Sequence, residues 1–310
     1  MYIMRRKSLT CGNFSYSSFN KFMMTCYLLT LWWRKLMKTR MLQLYLISIF
    51  TLLASFTQAA ERRETEPGCF KSFVQKSQNF CYQVMAKTFW DPMMSGFKPG
   101  RAIALDELDI QPTDKVLFVG EGTGLDFEVL PATLNRANLQ AFDFSPEMVK
   151  QAKLKAPEFN IPEQNIFIGD AQHLPYTDEK FDKIYFPLSL GSIPNPTLAL
   201  SEAERVLDRR GKIVVMEKLV DDGHQASYMR MLLNFFTKFL FADINRNLTQ
   251  MMGHETHLKI VHYQSLDGKL TGFLGRLVGP YYRIGTLVRT DEFPELPIVR
   301  AVLNQSKKDQ

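Results

Sequence analysis

The sequence predicts a doubly wound α/β fold built on a mainly parallel sheet. Short β-rich runs alternate with amphipathic stretches through the body of the chain, and each run stops at a glycine, an acidic residue or a loop. The first run passes straight into Gly120-Glu121-Gly122-Thr123-Gly124 and then into a helical pattern, the order expected where a parallel strand feeds its crossover. No repeat at a solenoid period and no low-complexity segment competes with this architecture.

The expected strands follow in order. Residues 115–119 (KVLFV) end at the glycine turn, 138–142 (NLQAF) end at Asp143, and 166–168 end at Gly169. Residues 183–187 end in a loop, 212–217 (KIVVME) follow Gly211, and 257–263 and 283–289 supply the last two strands. Helical candidates lie at 125–135, 146–155 and 197–208, each with apolar residues at helical spacing between strands.

The 310 residues are 45% hydrophobic, 23% charged and 12% aromatic, which excludes a disordered or collagen-like chain and provides for a sizeable core. The net charge of +6 is misleading. Residues 1–60 hold eight basic residues and no acid, leaving 30 basic against 32 acidic residues in the rest. A surplus confined to the leader is not the footprint of a nucleic-acid binder, so nucleic acid is set aside as a partner.

Within that leader, residues 41–56 (MLQLYLISIFTLLASF) carry no charge, follow Lys38 and Arg40, and lead into Thr57-Gln58-Ala59-Ala60. This is the layout of a secretory signal, with Met37 at the place where such a signal begins. Sixteen residues span about 24 Å, short of the roughly 30 Å hydrocarbon core. The alternative is an anchor with its basic end inside, aided by the apolar stretch 22–33. The expected organisation is a leader at 1–60, a polar tether at 61–80, one domain at 81–290 and a tail at 291–310. The expected location is membrane-associated or exported, or a cytoplasmic domain held on an anchor. Cys69 and Cys81 either pair in an oxidising compartment or stay as two thiols, and no Cys or His spacing points to a metal.

Two roles are open for the glycine turn: a tight strand-to-helix connection, or a surface whose amides meet a ligand. Asp143 favours the second. It stands 19 residues beyond Gly124 at the end of the second strand, where a carboxylate can accept hydrogen bonds from both ribose hydroxyls of an adenosine-containing ligand. Ser145, followed by Pro146 at the first helical position, is the better helix cap. Gly169-Asp170-Ala171-Gln172 places a third acidic site after the third strand, able to meet the amino edge of a base. All three sites fall at carboxyl ends of strands, where doubly wound sheets bind their ligands.

VLFVGEGTG, AFDFSPEM, GDAQHLPY, FDKIYF and RVLDRRGKIVVMEKL together resemble, in order and spacing, the motifs of Rossmann-like class I S-adenosylmethionine-dependent methyltransferases. The resemblance runs from about Tyr82 to Arg289. It implies S-adenosyl-L-methionine as cofactor, with Gly120, Gly122 and Gly124 bordering its methionine part, Asp143 on the ribose and Asp170 with Ala171 at the adenine. Glu121, Thr123, Phe144 and Phe186 join them as cofactor neighbours, and Phe186 and Leu188 would also lie beside the substrate. One position departs from the family: the acid usually found where Phe118 stands, which helps hold the cofactor's amino group, is missing, and Glu121 is the nearest replacement.

Residues 82–101 are similar to the entry helix of bacterial soluble phosphatidylethanolamine N-methyltransferases, and quinone-biosynthesis C-methyltransferases share part of the pattern. Candidates near the acceptor are Tyr82, Tyr185, Ser189, Glu217 and His224. Tyr185 comes first, because it sits by the carboxyl end of the fourth strand, and Ser189 joins it as a catalytic candidate; an interior tyrosine whose hydroxyl has found a partner is the competing role for Tyr185. His173 and His224 read more readily as loop histidines than as bases. Residues 229–241 (MRMLLNFFTKFLF) form either a core helix or a lid that dips into a lipid interface. The expected activity is methyl transfer to an amphipathic or lipid acceptor such as phosphatidylethanolamine. The alternatives are a quinone or small thiol acceptor, or a catalytically silent nucleoside-binding protein.

Overall fold

The computed structural model describes residues 90–290, apart from 228–229, 232–233, 235–236, 239–241, 254–255 and 272–280. These residues belong to the unit Val74–Gln310. The leader, the tether, both body cysteines, Tyr82, most of 229–241 and the C-terminal tail lie outside the described residues.

Among the described residues seven strands form one sheet in the order β3-β2-β1-β4-β5-β7-β6. They are β1 (Val116–Val119), β2 (Leu139–Asp143), β3 (Ile166–Ile168), β4 (Phe181–Pro187), β5 (Leu207–Lys218), β6 (Leu258–Ser265) and β7 (Tyr282–Arg289). The first five run parallel, whereas β7 is antiparallel to both β5 and β6. Strand order reverses between β1 and β4, which creates the crevice that doubly wound sheets use for ligands.

Side-chain alternation divides the interior into two cores. Val116, Phe118, Tyr185, Val214 and Met216 point to one face, where α1 (Lys98–Leu108) and α2 (Pro146–Lys155) cover them. Leu117, Val119, Phe186, Ile213 and Val215 point to the other, against Ala199, Leu200, Ala203 and Val206 of α3 (Pro196–Val206). With both faces covered, β1 is buried at all four positions, which explains its unbroken apolar run. Ser145 Oγ accepts from the Met148 amide at 3.4 Å with Pro146 opening α2, as the sequence predicts.

The helix expected over 125–135 does not form. The chain makes a single 3-10 segment, Leu125–Val129, and turns extended at Leu130. Pro131 is the cause: its ring disfavours helical backbone at the residue before it. At the other end of the sheet, β5 begins at Leu207, five residues before the expected start, and pairs Leu207 with Phe181 across a register shift. Among the described residues no helix is long and apolar enough to cross a membrane.

Candidate active site

A cleft with about 960 Å³ of empty space, including its open mouth, lies at the carboxyl ends of β1, β2 and β4, where doubly wound sheets bind their ligands. Gly120, Gly122 and Gly124 all take positive φ, at 74°, 69° and 81°. This sharp course turns the Gly120 and Glu121 amides onto the Phe142 carbonyl at 2.9 and 3.0 Å, tying the turn to β2. Gly122 and Gly124 then differ. A Cβ on Gly122 would meet nothing within 4 Å, so this backbone faces open cleft, whereas one on Gly124 would strike the Phe127 ring at 2.7 Å. Gly122 leaves its side of the turn open to the cleft. Gly124, expected at the cofactor, serves packing and does not line the cleft.

Asp143 links this turn to the next. One carboxylate oxygen accepts from the Gly122 amide at 3.0 Å and the other from the Ser145 amide at 2.8 Å. Burial raises its pKa to about 6, against the opposing pull of those backbone donors. Each oxygen keeps lone-pair capacity, so the group can still receive a vicinal diol. Phe144 is half exposed on the cleft wall, and Asp170 and Ala171 close the far end. Gln172 donates to Asp170 through its backbone and side-chain amides at 2.9 and 3.0 Å, and with His173 it holds that carboxylate below its usual range despite partial burial.

Under the turn sits a polar cluster that sequence inspection missed. Arg101 of α1 and Asp126 of the 3-10 segment form a buried ion pair, and Arg101 also lines the cleft. Glu121 lies beside them, 4% exposed, with neither oxygen in a hydrogen bond of normal geometry. Burial raises its pKa well above the carboxylate range and the Asp126 charge adds to this, with Arg101 and the Asp126 amide opposing. The signal for Arg101 was present: it occupies the first place of the buried stripe Arg101, Ala104, Leu105, Leu108, a cation at a core position of an amphipathic helix.

Elsewhere the cleft is bordered by Met94, Leu188, Ile193 and Pro194 together with Ser189 and Ser192. Ser189 Oγ donates to the Val119 carbonyl at 2.6 Å, so its proton is engaged in holding the β4 loop to β1. Tyr185, expected beside the acceptor, is fully buried and does not line the cleft. Its ring meets Phe118 edge-on at 5.2 Å, and its hydroxyl lies 3.7 Å from the Met216 sulfur and close to Asp126, which makes it the interior tyrosine of the competing reading. Phe186 is also displaced: strand alternation sends it into the opposite core, and the residues that reach the cleft begin at Pro187.

Glu217 is buried outside the cleft lining, accepting from the Gly191 amide at 2.8 Å and the Lys218 amide at 2.9 Å. His224 and His173 are exposed. Of the segment 229–241, Arg230 is buried with Nε 3.2 Å from the Ile244 carbonyl and its guanidinium 4.9 Å from the Tyr281 ring centre, while Lys238 pairs with Asp243 at 3.1 Å. Among the described residues no group of three or more His, Cys, Asp or Glu side chains is arranged to hold a metal ion.

The cleft thus offers an open glycine cradle, an unpartnered buried carboxylate and a diol acceptor in sequence, a set that fits a nucleoside joined to an amino-acid tail. Residues 117–215 match the methyltransferase domain family model. Phosphatidylethanolamine N-methyltransferase of Cereibacter sphaeroides is 32% identical over 123 residues, 39% of this chain and 59% of that protein. Demethylmenaquinone methyltransferase of Renibacterium salmoninarum is 33% identical over 117 residues, 38% of this chain and 46% of that one. The chain therefore spans about half the length of these two curated relatives. A geranyl diphosphate methyltransferase solved with S-adenosylmethionine shares the fold, with a TM-score of 0.51 at 14% identity over 62% of this chain and 85% of that one. From motif order, sheet topology and these matches together, the chain belongs to the class I S-adenosylmethionine-dependent methyltransferase superfamily.

Proposed function

We propose that this chain transfers a methyl group from S-adenosylmethionine to an amphipathic acceptor, phosphatidylethanolamine being the first to test. The observation that carries the cofactor half is the run Gly122, Asp143, Asp170 along one cleft, with the Gly122 amide already turned onto Asp143. Asp143 would hold the ribose, Asp170 and Ala171 the adenine, and the glycine turn the methionine part. When bound, the cofactor supplies an activated methyl on a sulfonium.

The protein's part is alignment and exclusion of water. Met94, Leu188, Ile193 and Pro194 give the acceptor side an apolar border suited to an amphipathic molecule, and Ser192 adds a hydroxyl there. No histidine lines the cleft among the described residues, so positioning of an acceptor that arrives as its free base matters more than a strong general base. The name of the Cereibacter sphaeroides relative favours a lipid amine. A quinone ring is the second reading, favoured by the demethylmenaquinone methyltransferase name of the other relative.

The uncharged run at 41–56 supports action at a membrane, and a cytosolic domain on an anchor keeps access to a cofactor made in the cytosol. Transfer of radiolabelled methyl to phosphatidylethanolamine vesicles, to demethylated quinones and to water-soluble thiols, compared side by side, tests the acceptor. Labelling of vesicles is expected, and labelling of thiols alone would overturn the lipid reading. Mass spectrometry of the mature N-terminus tests the leader.

A further inference from the structure

The carboxyl end of β5 gathers three cations. Lys218, the last residue of that strand, stands opposite Tyr282 of β7, with its ammonium 5.3 Å from the Tyr282 ring centre and in reach of the hydroxyl. Arg230 is 7% exposed and stacks its guanidinium 4.9 Å from the Tyr281 ring centre, with Nε 3.2 Å from both the Ile244 carbonyl and the Asn245 side-chain oxygen. Arg246, half-buried, donates from Nη1 to the Leu190 carbonyl at 2.6 Å. Among the described residues no carboxylate forms a salt bridge with any of the three.

The acids around them are already engaged. Asp221 bears on Arg230 but is held by Arg283 through Nε and Nη2, both at 2.8 Å, and by the Tyr263 hydroxyl at 3.0 Å. Asp243 pairs with Lys238 at 3.1 Å, and the exposed Asp222 accepts from Asn247 and Thr249. Glu217 bears on Lys218 and Arg246, and its oxygens accept the Gly191 and Lys218 amides. Positive charge is therefore in surplus. Burial works against the Lys218 ammonium, yet Tyr282 and Glu217 hold its pKa above the usual lysine value, with Arg230 opposing them from close by. Burial lowers the pKa of both arginines, but a guanidinium stays charged in a protein.

Like charges drawn together out of water are costly unless a further anion joins them. Arg230 Nη1 and Arg246 Nη2 make no hydrogen bond among the described residues, so each fork has a donor to give. Two guanidinium forks and an ammonium match the several oxygens of a phosphate. The cluster also adjoins the cleft. Leu190, held by Arg246, follows Ser189 in the loop that lines it, and Tyr282 lies within reach of the charges of both Lys218 and the cleft-lining Arg101.

We propose that Lys218, Arg230 and Arg246 form a phosphate site beside the cleft, which takes the phosphodiester of a lipid headgroup or a free phosphate. Its assignment to the headgroup rests on the reading of the acceptor as phosphatidylethanolamine, whose short ethanolamine link keeps the amine close to the phosphate. Arg230 then gives the apolar segment 229–241 a part in holding the acceptor.

Isothermal titration of the full chain with inorganic phosphate and with glycerophosphoethanolamine, the headgroup without its acyl chains, reads the site without turnover. Wild type is expected to bind, more weakly as salt rises. Lys218→Gln and Arg230→Gln should each weaken binding by about 10-fold or more, with circular dichroism melting to verify the fold. Lys218→Gln keeps the test decisive if Arg230→Gln fails to fold, because the Lys218 side chain touches Tyr282 and enters no salt bridge among the described residues. Binding of both probes assigns the site to the headgroup, and binding of inorganic phosphate alone assigns it to a free phosphate. No binding of either probe to wild type, or undiminished binding in a folded variant, would overturn the inference. If the chain binds glycerophosphoethanolamine yet leaves phosphatidylethanolamine vesicles unlabelled, the site stands and the lipid-amine activity falls.

Discussion

Glu121 and Glu217 are both buried glutamates at the carboxyl ends of parallel strands, and they are treated in opposite ways. Glu217 accepts two backbone amides, at 2.8 Å from Gly191 and 2.9 Å from Lys218, and so staples the β4 loop to β5. Glu121, nearly as hidden, has neither oxygen in a hydrogen bond of normal geometry. A carboxylate whose lone pairs are filled by amides serves the fold, whereas one left empty on the wall of a cleft holds binding capacity in reserve. Asp143 stands between the two, filled by two amides and yet open to the cleft.

This contrast breaks most directly at Glu217. Glu217→Ala strips the acceptor from two buried amides and is expected to lower the unfolding free energy in urea by about 2–5 kcal/mol. Unchanged stability would mean that the filled carboxylate does not serve the fold. Asp143→Ala should divide its effect, weakening S-adenosylhomocysteine by about 10- to 100-fold in calorimetry while costing about 1–2 kcal/mol of stability, because its two amides can turn to water in the cleft. Equal affinity in the variant would remove Asp143 from the ribose.

The pH dependence sharpens the comparison. Asp143 has a raised pKa of about 6, so its contribution to stability is complete below the ordinary aspartate value and is lost as pH rises through about 6. The empty protein should therefore lose about 3 kcal/mol over that interval, a loss absent from Asp143→Asn. Affinity runs the other way: the ribose needs the carboxylate, so S-adenosylhomocysteine should bind more weakly below pH 6, by up to about tenfold per unit. The smallest effect belongs to Glu121→Gln, which removes a group with no partner to lose. Its unfolding free energy in urea should match the wild type or exceed it by up to about 1 kcal/mol, and a large destabilisation would show that Glu121 is structural after all.

Much of the fold was legible from residue order alone. The strands were found within a few residues because a parallel strand buried on both faces writes an unbroken apolar run, as in VLFV. The cap at Ser145 was legible because Ser-Pro before an amphipathic run has a local cause. Pro131 marked the end of the 3-10 segment equally plainly, and the apolar spacing at 125–135 overrode it in error. The mistakes at Tyr185 and Phe186 have a different origin. Both neighbour the end of β4 in sequence, yet alternation sends one into each core, and only the residues from Pro187 onward turn over the strand end into the cleft.

By itself the sequence determined the sheet, its glycine turn and the carboxylates that follow the strands, because each depends on neighbours within a few residues. Only the tertiary structure decided that Arg101, Glu121, Asp126 and Tyr185 form one cluster. They come from a helix, a turn, a 3-10 segment and a distant strand, and their charges meet only when α1 packs across the sheet and excludes water from the space between them. Which of the buried acids is satisfied and which stands ready for a ligand is a property of that packing, since burial and hydrogen-bond partners are set by what the fold places alongside each group.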